Sequence, residues 1–539
     1  MSPQVEVQER NREMKMQCSR YIRLVIAAVR PFSAAPLLDG LSASDTPASL
    51  STGAPTGSPS YKERTGGNTL GKQLLSLVYA KRSAVVTIRQ WKEKGNQVRK
   101  YELNRIVREL RKLRRYKHAL EICEWMVLQP DIKLLPGDYA VHLDLIAKVR
   151  GLNSAEKFFE DIPADMRGRL TCSALLHTYA QNKLSEKAEA LMEKMKEHDM
   201  LKDPLPFNHM LSLYISCGQL DKVPGVIEEL KKNSKPDAVT YNLWLTVCSS
   251  NNDVETAEMV FLELKKARVI PDWVTYSILS NLYIKNGLSD KAATALKEME
   301  KWISRKTRAA YSSLISLYTN MQDEDGVQRA WKKLKSCFLK MNDAEYTCMI
   351  SSLLKLGKIE EAEKLYTEWE SGSNTGDPRV ANLLIAAYIN CNQIDKAEAF
   401  SYRVIQKGVD PCYTTWELFT WGSLKSDRMD RALEYLKKAV ASVKEWNFDK
   451  NLVSKMLEKL EEQGNVEVAE ELLVEIRKAG KLNTEVYNSL LTTYAKAGKM
   501  PLIIAERMEK DGVPLNEVTR ELIDKTSKMC VSEVSCRFP

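Results

Sequence analysis

Between Tyr241 and Ala432 the chain repeats every 35 residues without slippage. Tyr241, Tyr276, Tyr311, Tyr346 and Trp416 share one position of the period, which only Ala381 interrupts. Ala257, Ala292, Ala362, Ala397 and Ala432 share a second, with Val327 completing the series. Asp237, Asp272 and Asp377 share a third, preceded by Pro236, Pro271 and Gly376. A fixed period of this length belongs to solenoids, in which each unit buries its apolar face only against its neighbours.

Inside one unit the spacing is helical. Across 276–283 the apolar residues recur at steps of three and four, which gathers them on one helix face. Asn286 and Gly287 then end the run, since a helix C-terminus favours a residue that accepts the left-handed conformation. A second helix passes through Asp290 and Ala292 to about Met299. The unit is an αα-hairpin, and the small Ala at the crossing lets its helices approach closely. Gly218, Gly287, Gly357, Gly464 and Gly498 mark the same turn in other units. The Pro-Asp pairs close a unit, because proline resists helix continuation and Asp caps the next helix.

The joints 235–242 (KPDAVTYN) and 269–277 (VIPDWVTYS) resemble those of pentatricopeptide repeats, and 357–366 (GKIEEAEKLY) resembles their second helix. The tetratricopeptide repeat is the rival, but its unit of about 34 residues and its Trp-Leu-Gly-Tyr signature fit less well. Extended both ways, the register gives about twelve units over 100–516. The resemblance implies an all-α, right-handed α-solenoid superhelix of helix-turn-helix units, of the P-type subfamily found in plant organelles. Ahead of the array, 71–99 reads as a basic helical cap, and 517–539 as a C-terminal tail.

The family's first helices line a groove in which each unit faces one base of single-stranded RNA. Two positions per unit are implicated: the residue after the first-helix aromatic and the residue that closes the unit. Carried over, the pairs are Ser173 with Asp203, Asn208 with Asp237, Asn242 with Asp272, Ser277 with Thr307, Ser312 with Asn342, Thr347 with Asp377, and Asn382 with Cys412. By the family's rule Asn–Asp favours uracil, Ser–Asp and Thr–Asp guanine, and Ser–Asn adenine. Read from the N-terminal end as 5′, the order is roughly G-U-U-N-A-G-N. Branched apolar residues that sandwich bases fall at Leu205, Val239 and Val274, with Arg379 and Glu485 at that place elsewhere; Glu417 stands at a reading position where the family has a neutral side chain, and Cys412 and Thr307 are poor code letters. Eight residues beyond the reading position, Lys112, Lys148, Lys285, Lys355, Lys425 and Lys496 recur as backbone contacts. Capping is the competing explanation for Asn, Ser, Thr and Asp at helix starts.

Charge is uneven. The net value is +9, and 81–117 alone holds fourteen Lys or Arg against Glu93, Glu102 and Glu109, so the remainder sums to −2. Arg105, Arg108, Lys112 and Arg115 step by three or four, which predicts one helical stripe suited to phosphates. Residues 31–70 are rich in Ser, Ala, Pro, Gly and Thr and read as a disordered linker. Residues 1–30 resemble an organelle transit peptide through Arg20, Arg23, Arg30 and an apolar face; Glu6, Glu9 and Glu13 fit a start at Met14 or Met16. Mitochondrion is the first destination and chloroplast the second.

No apolar run reaches the roughly 18 residues of a membrane span. The eleven cysteines include no Cys-x-x-Cys pair, so neither a disulfide framework nor a zinc site is indicated. His118, His142, His177, His198 and His209 join no deaminase motif, and phosphate-loop and metalloprotease motifs are missing. The expectation is a non-enzymatic RNA-binding adaptor without cofactor, metal or membrane insertion. An accessory subunit of the mitochondrial ribosome and a protein-binding helical scaffold are the alternatives.

Overall fold

The computed structural model describes residues 69–77, 83–372, 376–443 and 449–534. The expected transit peptide and all but the end of the linker lie outside them. From Lys100 onward the described residues form twelve helical hairpins, six in each of two compact units divided at Ser304 and Arg305. In the first unit, helices such as Ala238–Ser250 and Val254–Lys266 pair within a repeat, and from Pro136–Arg150 onward each first helix packs on the next first helix. The second unit repeats the plan from Arg308–Asn320 to Ile504–Lys510. A shorter pair, Leu70–Leu75 and Ala84–Glu93, precedes the first hairpin and packs on it.

The periodic residues occupy the places their spacing predicts. Ala257, Ala292, Val327, Ala362, Ala397 and Ala432 are wholly buried, each in the second helix of its hairpin. Tyr241, Tyr276 and Tyr311 are buried as well. The turn of each hairpin is left-handed, with φ of 72° at Gly287 and 77° at Gly357. One period away Asn252, Gln322, Asn392 and Asp427 adopt the same conformation, at 59°, 60°, 56° and 55°.

Along the second helices, charges pair with the adjacent repeat: Lys187 with Glu156, Lys222 with Glu189 and Lys396 with Glu363, each at 2.7 Å. Tyr214 and Tyr388 donate to the same carboxylates at 2.9 and 2.7 Å. The Lys222 hydrogen bond holds Glu189 below the usual carboxylate range, and burial pushes Tyr179 up to about 12. Exposed pairs of this kind contribute little singly. Their consequence is that much of the lysine on these helices is already neutralised.

Two expectations need correction. The segment 517–539 contains a further first helix, Glu517–Thr526, capped by Asn516 and packed on Thr484–Lys496. Beside it Lys499–Met500 and Cys530–Val531 pair in parallel. Arg115 is not part of the basic stripe. Its helix ends at Lys112, and the Arg115 guanidinium donates to the carbonyls of Leu75 and Leu77 at 2.5 and 3.4 Å, holding the end of the preceding short helix.

Candidate nucleic-acid interface

The joint between repeats explains why Asp and Thr recur there. Asp237 precedes helix Ala238–Ser250, and its Oδ1 accepts from the Thr240 amide at 2.8 Å while Thr240 Oγ1 accepts from the Asp237 amide at 3.3 Å. This reciprocal capping box satisfies two helix-end donors. It also reaches back one unit. Asn208 Nδ2 donates to Asp237 Oδ1 at 3.1 Å, and Thr240 Oγ1 donates to Asn208 Oδ1 at 2.8 Å. The same triad recurs with Asn242, Asp272 and Thr275, at 3.1 and 2.7 Å. Asn382, Cys412 and Thr415 form a third, at 3.5 and 2.9 Å, with a sulfur in place of the carboxylate.

The cap and the candidate reading position are therefore one assembly. Asn208 and Asn242 are each only 1% exposed, and the Thr hydroxyl fixes which way each amide points. One amide hydrogen is engaged by Asp Oδ1, leaving the second free. Asp237 and Asp272 use Oδ1 for all these bonds, so Oδ2 remains as an acceptor beside that N–H.

Sequence reasoning missed the threonines, although Thr240, Thr275 and Thr415 stand on the same 35-residue register. It also missed two joints. Asn488 Nδ2 donates to Asn516 Oδ1 at 3.4 Å and its Oδ1 accepts from Thr519 at 2.7 Å, completing a fourth triad. Asn104 Nδ2 donates to Asp138 at 2.9 Å, where Lys100 also pairs at 2.5 Å.

Three of the other pairs turn to different partners. Asp203 accepts from the Leu205 amide at 3.0 Å and pairs with Arg169 at 2.7 Å, while Ser173 is buried. Ser277 and Thr307 belong to different compact units. Asn342 caps its helix through the Glu345 amide at 3.0 Å, and the Ser312 carbonyl accepts from Cys348 at 3.5 Å. Thr347 donates to the Asp343 carbonyl at 2.6 Å, and Asp377 is clamped by Arg379, whose Nη2 lies at 2.5 Å. Capping accounts for Asn342 and Asp377 without a ligand.

Of the sandwiching candidates, Val274 is buried and Leu205 and Val239 are half-buried. Lys285 and Lys496 are exposed, and Lys425 reaches Asn390 at 3.4 Å. Lys112 pairs with Glu109 at 2.8 Å. Lys148 pairs with Asp144 at 3.3 Å and lies over the Tyr116 ring, and burial depresses the Lys355 ammonium below the usual lysine range. Glu417 stands where Asn382 stands one period earlier. Burial, then the nearby Asp449 carboxylate, pushes it up to about 7. No group of three or more potential metal ligands occurs among the described residues. Nor is any helix among them long and apolar enough to cross a membrane.

These features define an all-α repeat protein whose joints carry ordered polar pairs. The model described as "PPR repeat family" matches residues 236–282, and the "PPR repeat" model matches 170–200, 206–234, 274–302 and 346–372. A mitochondrial pentatricopeptide repeat-containing protein of Arabidopsis thaliana is 65% identical over 488 residues, covering 90% of this chain and 92% of the relative. A second from the same plant, also mitochondrial, is 34% identical over 442 residues, 81% of this chain and 88% of that one. The crystal structure of PPR10 in complex with an 18-nt psaJ RNA element is 15% identical, covering 82% of this chain and 72% of that one with a TM-score of 0.45. The chain belongs to the pentatricopeptide repeat family.

Proposed function

We propose that this protein is a mitochondrial adaptor that binds single-stranded RNA, reads bases through its repeat joints, and so affects RNA processing, stability or translation without catalysis. One observation carries the reading: successive joints at Asn208 and Asn242 hold the same donor–acceptor pair in the same fixed orientation. An amide N–H beside a carboxylate oxygen complements the O4 and N3–H of uracil. Rigid presentation matters because a base edge is discriminated by geometry as well as by charge. Leu205, Val239 and Val274 flank these joints as the apolar contacts to the base faces. Arg105, Arg108, Lys285 and Lys496 are the backbone contacts best placed to meet phosphate. The mitochondrial location rests on the names of the relatives and on the basic, apolar N-terminal segment, which we read as a transit peptide.

The test is crosslinking and sequencing of RNA bound to the protein in purified organelles. A narrow footprint on one or a few transcripts, weakened by Asn242→Ala combined with Asp272→Ala, is the expected result. Reads confined to ribosomal RNA and indifferent to that double change would replace this reading with a ribosomal subunit. Absence of RNA would replace it with a protein scaffold.

A further inference from the structure

Helices Ile359–Gly372 and Ile394–Gln406, the second helices of successive repeats, border a cavity of about 640 Å³ to which helix Pro378–Asn390 also contributes. That volume lies in the range of ligand pockets, roughly 300–1,000 Å³. The inner wall is apolar. Phe400 meets Tyr366 and Tyr388 edge-on, with ring centroids 5.2 and 5.7 Å apart, and the buried Leu384 completes it. Cations and acids pair across the two second helices, Lys396 with Glu363 and Lys407 with Glu370, each at 2.7 Å. Arg403 stands between the two lysines, and Thr367 between the two acids at steps of four and three that keep it on their face. The ladder is therefore one carboxylate short. Arg403 lies over the Phe400 ring at 5.0 Å and has neither a hydrogen bond nor an ion pair among the described residues. Tyr366 is 1% exposed, yet its hydroxyl has no hydrogen-bond partner among those residues, whereas that of Tyr388 donates to Glu363 at 2.7 Å. Burial, then the Glu370 carboxylate, pushes the Tyr366 phenol up, so it keeps its proton and remains a donor.

We propose that this cavity takes an acidic segment of a partner protein: an aliphatic or aromatic side chain packs against Tyr366, Leu384 and Phe400, and a neighbouring Asp or Glu binds Arg403 and accepts from the Tyr366 hydroxyl. The incoming carboxylate supplies the member that the ladder lacks, and a charge-assisted contact beside an apolar pocket has the makeup of a binding hot spot. Charge selects a polypeptide over a nucleic acid. Glu360 and Lys364 line the same cavity, and neither has a partner among the described residues. A phosphate chain would be repelled by Glu360, whereas a polypeptide brings amide donors and cations as well as acids. The proposal does not depend on RNA reading, because none of the joint residues lines the cavity. It gives the protein a second binding function, carried by second helices while the joints hold the first.

Panning a random peptide library against the full chain, with Arg403→Glu as counter-selection, tests this. Peptides enriched on wild type are expected to carry Asp or Glu beside an aliphatic or aromatic residue. Their affinity, read by fluorescence anisotropy, is expected to fall about tenfold in Arg403→Gln and about fivefold in Tyr366→Phe. Ala399→Trp, which sets a bulky ring on the exposed edge of the cavity, is expected to abolish binding while circular dichroism stays that of wild type. A polyuridine competitor is expected to leave the peptides bound. Failure to enrich any peptide, or enrichment of peptides without an acid, would overturn the proposal. So would binding that survives both Arg403→Gln and Ala399→Trp. Polyuridine that displaces the peptides from wild type, and whose own affinity falls in Arg403→Gln, would assign the cavity to RNA instead.

Discussion

At the scale of single residues, the joints show how one Asp oxygen serves both a helix cap and an amide of the preceding repeat. Thr240 closes a capping box with Asp237 and also fixes the amide of Asn208 from the preceding repeat. In the sequence the Asn and Asp stand out through their register, but the threonine looks like an ordinary N3 residue. Its second contact crosses between repeats, which spacing within one helix cannot reveal. Capping and the bond to the preceding repeat engage Oδ1 of the closing Asp, which leaves Oδ2 for the base contact proposed above. Glu417 is the exception, a carboxyl where the other triads have an amide. Its pKa in the fold, about 7, lies above the unfolded value. Its contribution to stability is therefore fully present below the unfolded pKa, about 4.3, and is lost as pH rises through about 7. Glu417→Gln removes that titration. Urea unfolding is expected to find the variant more stable than wild type by about 1–2 kcal/mol at pH 8, after solvent screening, with the advantage vanishing toward pH 5. An advantage independent of pH would contradict the assignment.

At the scale of elements, the hairpin turn is the most regular feature and the most legible. Positions 252, 287, 322, 357, 392 and 427 are all left-handed, whether Gly, Asn, Gln or Asp occupies them. Glycine adopts this conformation without a side-chain clash, whereas glutamine is strained by roughly 1 kcal/mol. Gln322→Gly is accordingly expected to raise the thermal midpoint, corresponding to about 1 kcal/mol less the added freedom of the unfolded chain. A lowered midpoint in calorimetry would show that the Gln322 side chain contributes more than the strain costs. The helix Glu517–Thr526 was illegible for a physical reason. Arg520 occupies the place where Tyr487 stands in the repeat before, and it is exposed. That aromatic is needed where a second helix packs over it, and this last helix is followed by a short strand instead. The preceding hairpin is held by another device absent from the repeat pattern. Arg507 and Glu470 pair at 2.6 Å while wholly buried, with the Tyr494 hydroxyl donating to Glu470 at 2.7 Å. Paired and hydrogen-bonded burial of this kind ties the short helix Ile504–Lys510 to its neighbour.

At the scale of the molecule, stability in a repeat array is a sum over neighbouring units, so each joint can vary without unfolding the others. That tolerance fits the inequality among joints: Asn208 and Asn242 hold complete triads, Thr347 and Asp377 turn to other partners, and Cys412 replaces a carboxylate. The family and the number of hairpins were readable because a strict period leaves few alternatives. Which joints are assembled was not, since it depends on contacts between units. The central claim is that an assembled joint selects its base, and one substitution tests it most directly. Affinity is measured for RNA probes differing only at the base opposite Asn242 and Asp272, with uracil or guanine there. Wild type is expected to prefer uracil, and Asn242→Ser to reverse the preference toward guanine, each by about 1–3 kcal/mol. Equal affinity for both probes in both proteins would contradict base reading at the joints.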